Sequence, residues 1–391
     1  DCVKRAFTIF GLAVLILALG GCMEEPNPVG AGLLPGDDFL KIDSVSTFAT
    51  ASTSIRSIPP HLASGRLLIG KFNDLEAWSV LLFSGIPDSL EGKTITGVSV
   101  LLRAQYHFGD SLAPYSMAVH QLLKSWEPDS LTINSLGEAG FYQATPMASP
   151  GFGSVHDTAT ISIPLDTAVV RSWIQTAGDS ITTNFGMLLR PTNSGVVKGF
   201  GSFTELEEAH KPTLQIRFTR TGSTTIDTVN ISAGVFRSVG TMADKGWSND
   251  RDRLHVQNGV SYRGVVTFDA VKLLPPHAAV HQAILELTLD AAASQRNSYT
   301  RDSVYAYFVD KEGKTTGSLF ALSDVEDRNG VRIYKLLITR FVEEWVRRAY
   351  PQTVVIVGAE ESYAFDHFAL HGSAAPAALK PILKISYSPV Q

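Results

Sequence analysis

What most constrains this chain is the rhythm of its apolar runs. From Ile42 onward they are short, alternate apolar and polar at period two, and are broken by Gly, Pro, Asn, Asp and Ser, a spacing of roughly eight to twelve residues that points to an antiparallel sandwich or barrel. Ile95 to Arg103, Ala159 to Ile163, Thr213 to Phe218 and Val280 to Leu289 are examples. Alternate side chains of such a strand fall on one face, which suits one buried and one wet side.

The same order of parts occurs twice. Val80-Leu81-Leu82-Phe83, Ile86-Pro87 and the run from Ile95 correspond to Val265-Val266-Thr267-Phe268, Leu274-Pro275 and the run from Val280. Leu165 to Ile174 matches Leu337 to Val346, with Thr167 and Trp173 opposite Thr339 and Trp345, and Lys211 to Phe218 matches Lys380 to Tyr387. Repetition at long period signals repeated architecture. The expected organisation is two β domains, 43–220 and 224–388, with Thr219 to Thr225 as a polar joint. Each half contains one run at helical period: Val169, Val170, Trp173 and Ile174, and Ile338, Phe341, Val342, Trp345 and Val346. Each predicts a short helix with its Trp turned inward, capped at Thr167 or Thr339 and stopped by Gly178 or Pro351.

Ahead of these halves, Lys4 and Arg5 precede the apolar run Ala6 to Leu19, and Gly20-Gly21-Cys22 follows. A basic start, an apolar middle and small residues before a cut describe a signal peptide, 1–21. Leu19-Gly20-Gly21-Cys22 resembles the lipobox of bacterial lipoproteins, which implies acylation of Cys22 and attachment to a membrane by several chains. Asp at position 1 points to a clipped or misassigned start. The only other cysteine, Cys2, lies in the segment removed, so no disulfide is expected. Residues 22–42, rich in Pro and Gly, read as a tether. Glu24 and Glu25 are similar to an acidic export signal for the outer membrane, and equally to a solvated linker. A net charge of −5 without a basic run excludes the electrostatic footprint of a nucleic-acid binder.

Laid end to end, the first half supplies Ile95-Thr96-Gly97-Val98, Trp126-Glu127 through Thr132-Ile133-Asn134, Val169 to Trp173, Asn184-Phe185-Gly186-Met187-Leu188-Leu189, and Lys211 to Phe218. This series resembles the DNRLRE, or disaggregatase-related, repeat domain. The second half keeps Phe268, Glu344-Trp345 and Lys380 to Tyr387 but lacks the Trp-Glu-Thr-Asn segment and the Asn-x-Gly pair. The resemblance implies an all-β chain of two tandem jelly-roll-like antiparallel β-sandwiches, each with one short helix. Such modules occur on secreted and surface proteins, and some are assigned as carbohydrate-binding modules.

Signatures of catalysis are missing. Gly92-Lys93-Thr94 fails as a phosphate loop because Pro87 stands where its first glycine would be and a strand follows. The adjacent pairs Glu207-Glu208, Glu343-Glu344 and Glu360-Glu361 diverge on a strand or helix and cannot flank one bond. His107, His120, His281 and His367 read as strand or loop surface residues, with no pair at metal spacing. Asp244, Asp250 and Asp252 could hold a structural calcium ion, although the spacing is not that of an EF-hand. No other cofactor is expected, and the chain is read as a non-enzyme.

Binding a sugar requires an aromatic platform with polar neighbours. Trp126, Trp173 and Trp345 have core spacing. Trp78 and Trp247 follow loop-like stretches, and each is read either as an exposed contact or as a residue closing its own sandwich. Tyr106, His107, Phe108 and Tyr115 make a second aromatic group with the same two readings. The expected function is a non-catalytic outer-membrane lipoprotein that binds or holds extracellular polysaccharide. The alternative is a structural or assembly lipoprotein contacting a protein partner at the cell surface.

Overall fold

The computed structural model describes residues 41–56, 65–175, 184–202, 205–260, 262–297 and 300–389. The signal-peptide, Cys22 and tether readings, and Gly178, lie outside them. The described chain is all-β, arranged as two curled antiparallel sheets of eleven strands each. Each sheet folds over its own core. One core gathers Leu81, Phe83, Val100, Leu102, Trp173, Leu189 and Phe200; the other gathers Val266, Phe268, Leu285, Tyr334, Phe341, Trp345 and Ile356. Alternation does the sorting. In Thr160–Leu165, Ile161, Ile163 and Leu165 are buried while their neighbours are exposed.

The repeat survives in three dimensions. In the first half the strand Leu75–Leu82 leads through a short 3-10 turn, Asp88–Leu90, into Thr94–Gly109. In the second, Tyr262–Thr267 leads through Val271–Leu273 into Ala279–Thr288. The closing strands Thr213–Thr219 and Ile382–Ser388 pair with Thr94–Gly109 and Ala279–Thr288 respectively, and the helices Thr167–Gln175 and Thr339–Arg348 pack against those same two strands. Trp173 and Trp345 are both buried, each plugging its sandwich. A third, one-turn helix, Ile133–Leu136, is closed by a capping box between Thr132 and Ser135.

The caps differ from expectation. Thr167 and Thr339 are the first residues inside their helices, not the caps. Asp166 takes the role in the first half, its Oδ1 accepting from the amide of Ala168 at 2.8 Å. In the second half, the Thr339 hydroxyl accepts from the amide of Ala283 at 3.0 Å and ties the helix to the strand beneath it. The second helix ends at Ala349, at φ 49°, two residues before Pro351.

Pairing between strands does not follow the boundary at 220–224. The consecutive strands Asp43–Phe48 and Ala51–Arg56 lie in the sheet of the second half, where the first pairs with Ile382–Ser388 and the second with Tyr262–Thr267. The consecutive strands Ile226–Ser232 and Val235–Met242 lie in the sheet of the first, paired with Thr213–Thr219 and Leu75–Leu82 respectively. Each two-strand segment precedes one half in sequence and completes the other, at equivalent positions. The exchange is reciprocal. A repeated Ile-Asp-(Ser/Thr)-Val, at Ile42 to Val45 and Ile226 to Val229, marks it in the sequence. Ser44–Gln391 accordingly clusters as a single unit.

Where the halves meet, Tyr106 and Phe108 pack with Leu68, Val197, Val260, Tyr262 and Phe365. Gly259, at φ 77°, lies under Phe365, and a Cβ there would sit 2.2 Å from a ring carbon; only glycine permits this approach.

Candidate functional site

Of the five aromatic residues read either as ligand contacts or as residues closing the fold, Trp78, Tyr106, Phe108 and Tyr115 are buried and Trp247 is half-buried. Trp78 is a strand residue, paired with Val239 and buried with Val80, Leu122 and Leu188. Its Nε1 donates to Glu76 Oε1 at 2.7 Å, and the Arg190 guanidinium lies 4.1 Å from its ring, a cation–π contact. Tyr115 is buried in the first core beside Phe152 and Phe200, its hydroxyl donating to the Ile69 carbonyl at 3.3 Å.

Tyr106 and Phe108 are turned by one residue. Along Thr94–Gly109 the even-numbered residues Val98 to Ala104 face the first core. The register with Val196–Phe200 then slips, Phe200 opposing Ala104 and Gly199 opposing Tyr106. Gln105 is the extra residue of a β-bulge, and beyond it the faces exchange. Tyr106 and Phe108 therefore point at the second half. The Tyr106 hydroxyl accepts from the amide of Phe365 at 3.0 Å, and burial holds its phenol well above the ordinary range. Arg66 spans the same junction, bonded to Glu360 at 3.0 Å, with its guanidinium 5.2 Å from the Tyr106 ring centre.

Trp247, half-buried, stacks on two imidazoles, His255 at 4.5 Å and His367 at 4.6 Å. These lie edge to edge, with His255 Nδ1 3.0 Å from His367 Nε2 and His255 Nε2 3.0 Å from Asp250 Oδ2. Burial lowers both imidazoles, His367 to about 3. Burial alone would raise the carboxyl of Asp250, but hydrogen bonds from His255 and the amides of Arg253 and Asp252 leave it below its ordinary value. Asp244 is likewise engaged, accepting from the amide of Gly246 and the hydroxyl of Tyr262, each at 2.9 Å. Two of the three expected calcium ligands, Asp244 and Asp250, are thus committed to other partners, and among the described residues no group of three or more His, Cys, Asp or Glu is placed to hold a metal.

The other histidines expected at the surface also have partners. His120 is buried, its Nδ1 2.8 Å from the Gln143 carbonyl, His107 pairs with Asp157, and His281 Nε2 lies 2.7 Å from the Ser388 hydroxyl. Glu360 and Glu361 do diverge, to Arg66 and Arg263.

Asp366, next to His367, is 1% exposed and accepts from the amide of Asn297 at 2.6 Å. Burial raises its carboxyl to about 6. The native state then keeps a proton that the unfolded chain releases near its ordinary 3.8, so this group costs stability as pH rises from about 4 to about 6 and continues to cost it above. Asp366→Asn is expected to gain about 2–3 kcal/mol at pH 7.5 and almost nothing at pH 4. Thermal melts of the two proteins across that range check it.

An open aromatic surface exists elsewhere, on residues that sequence reasoning passed over. In Val304–Val309, Val304, Ala306 and Phe308 enter the second core, which leaves Tyr305 and Tyr307 on the opposite face. There they meet Phe320, 53% exposed, at centroid distances of 5.7 and 6.0 Å. Register extends this face as a row, Phe320, Tyr307, Val355, Val265 and Thr53, across five strands. At about 4.8 Å per strand the row is roughly 19 Å long. Arg263 and Glu361 form a two-pronged ion pair beside it, both bonds 2.8 Å. At its far end lies a cleft of about 290 Å³ lined by Thr50, Ser52, Thr53, Ser248, Thr267 and Ser373. Period two in Val304–Val309 was the available signal, since it sets Tyr305 and Tyr307 on one face.

No protein-family model matches the chain, and no curated protein matches it. Among solved structures, two of infectious bursal disease virus, the Gt and Gx strains, align over 92% of this chain and 78% and 79% of theirs, at 12% and 10% identity. Their TM-scores, 0.14 and 0.12, are too low to carry an argument about fold or function.

Proposed function

We propose that this chain is a non-catalytic surface lipoprotein of the disaggregatase-related repeat type, anchored to the outer membrane through acylated Cys22, and that it holds extracellular polysaccharide on the face bearing Tyr305, Tyr307 and Phe320. The observation that carries this reading is a cluster of three rings, tilted 39–79° to one another, at one end of a cross-strand row whose other end is a hydroxyl-lined cleft. A pyranose ring offers weakly apolar C–H faces and a rim of hydroxyls. Three rings supply the platform, and the Ser and Thr hydroxyls supply hydrogen-bonding partners. With Arg263 and Glu361 neutralising each other, the aromatic end of the face suits an uncharged stretch of an extended glycan crossing the strands, while Arg251 lines the cleft at the other end.

Affinity electrophoresis against a glycan panel tests it. Retardation by at least one neutral polysaccharide is expected, weakened about tenfold by Tyr307→Ala and further by Phe320→Ala, a loss of about 1.4 kcal/mol for the first ring. Unchanged far-UV circular dichroism would show that the sheet is intact. Absence of retardation by every glycan would sink the reading.

The reciprocal exchange of strands favours a second reading, an assembly protein needing a stiff two-part body. It predicts one stoichiometric protein partner in crosslinking and mass spectrometry of intact cells.

A further inference from the structure

Lys198 stands at the centre of Val196–Phe200, on the same side as Val196 and Phe200, both in the first core. Its side chain is wholly withdrawn from solvent, which is rare for a residue whose ammonium is strongly hydrated in water. The Nζ lies 3.3 Å from Oδ1 of Asp157, in the turn between Gly151–Ser154 and Thr160–Leu165. The other carboxylate oxygen of Asp157, Oδ2, is 2.5 Å from Nδ1 of His107. His107 is in turn the cross-strand neighbour of Lys198. Amine, carboxyl and imidazole therefore converge from three segments at the edge of the first core, with Lys198 fully buried and Asp157 and His107 partly exposed.

An amine and a carboxyl group held in contact are the reactants of an amide. In bulk water the ion pair and the excess of water oppose condensation. Here the amine is fully withdrawn from water and the pair is fixed, which gives the high effective concentration of an intramolecular reaction. We propose that Lys198 and Asp157 condense into an intramolecular isopeptide bond, with His107 as the proton relay.

A proton passing from Nζ to the carboxyl leaves a neutral amine facing a neutral acid. The Nζ lone pair attacks Cγ, forming the C–N bond and moving the carbonyl electron pair onto oxygen. His107 delivers a proton to Oδ2, the C–Oδ2 bond breaks, and Oδ2 leaves with two protons as water. A proton lost from the nitrogen restores the imidazole. One water is released, nothing is oxidised or reduced, and no co-reactant is consumed. The bond would clamp the 157 turn to a central strand in a chain whose two cysteines, Cys2 and Cys22, are both N-terminal.

Peptide mapping of the full chain, denatured before digestion, tests this directly. The expected product is a branched peptide containing Asp157 and Lys198, lighter than its two components by one water, about 18 Da, with no tryptic cut after Lys198. Two unlinked peptides of sequence mass, with Lys198 cleaved, would overturn the proposal. That result needs no variant, so a misfolded mutant cannot obscure it. Asp157→Ala and Lys198→Met should each abolish the branched species. His107→Ala, which keeps both reactants, should lower the linked fraction several-fold after refolding; a linked fraction equal to that of the unsubstituted chain would remove His107 from the step.

Discussion

Truncating Trp345 to alanine is expected to destabilise the protein by about 3–5 kcal/mol, the cost of emptying a large buried aromatic site. The indole lies between the second helix and its sandwich, 1% exposed, and Phe341 and Val342 beside it can collapse only partly into the space. Trp345→Phe should be much milder, about 1 kcal/mol, because the indole N–H finds no hydrogen-bond partner among the described residues and its removal relieves an unsatisfied donor. Trp173→Ala makes the corresponding change in the first half. Because each half is completed by two strands that precede the other in sequence, the two alanine variants should lower one shared unfolding transition, by on the order of 10 °C. Differential scanning calorimetry decides. Two separate transitions, with only one moved by each variant, would contradict the coupling.

The second large effect concerns acid. His367 is neutral in the native state down to about pH 3, whereas the unfolded chain binds a proton there near 6.5. Unfolding therefore takes up a proton below pH 6.5. The stability associated with this group is complete above that pH and is lost as pH falls toward 3, about 2 kcal/mol by pH 5. His255, lowered by the same burial, acts in the same direction, while Asp366 opposes them between about pH 4 and 6. In an Asp366→Asn background the acid limb should therefore stand out alone. Adding His367→Gln should flatten it, at some cost at pH 7 from the lost stacking on Trp247. Parallel stability profiles with and without His367→Gln, measured by urea unfolding from pH 7 to 4, would rule this out.

The two effects differ in how far the sequence foretold them. Trp345 was readable as a core residue because Ile338, Phe341, Val342, Trp345 and Val346 follow a helical period, which is a local property. His367 was not. It lies in a five-residue strand, His367–His371, and its neutrality comes from Trp247 and His255, 120 and 112 positions away. The placing of Trp78 among loop residues is corrected for a related reason. Trp78 looked loop-borne because Asn73-Asp74 precedes it, yet that pair turns a hairpin between Leu67–Phe72 and Leu75–Leu82, which places Trp78 in the sheet. Tyr305 and Tyr307 drew no notice in the sequence, since nothing local says which face of a strand stays open.

By itself the sequence determined the all-β class, the doubled order of parts, the two Trp-bearing helices and the faces of individual strands. These follow from periods of two and 3.6 that each segment carries alone. Tertiary structure alone decided which half each exchanged pair of strands completes, where Gln105 bulges and turns Tyr106 and Phe108 toward the second half, and which aromatic face remains open. Those outcomes depend on pairing between residues far apart in the chain, and a shift of one residue in such pairing moves every later side chain to the other side of the sheet.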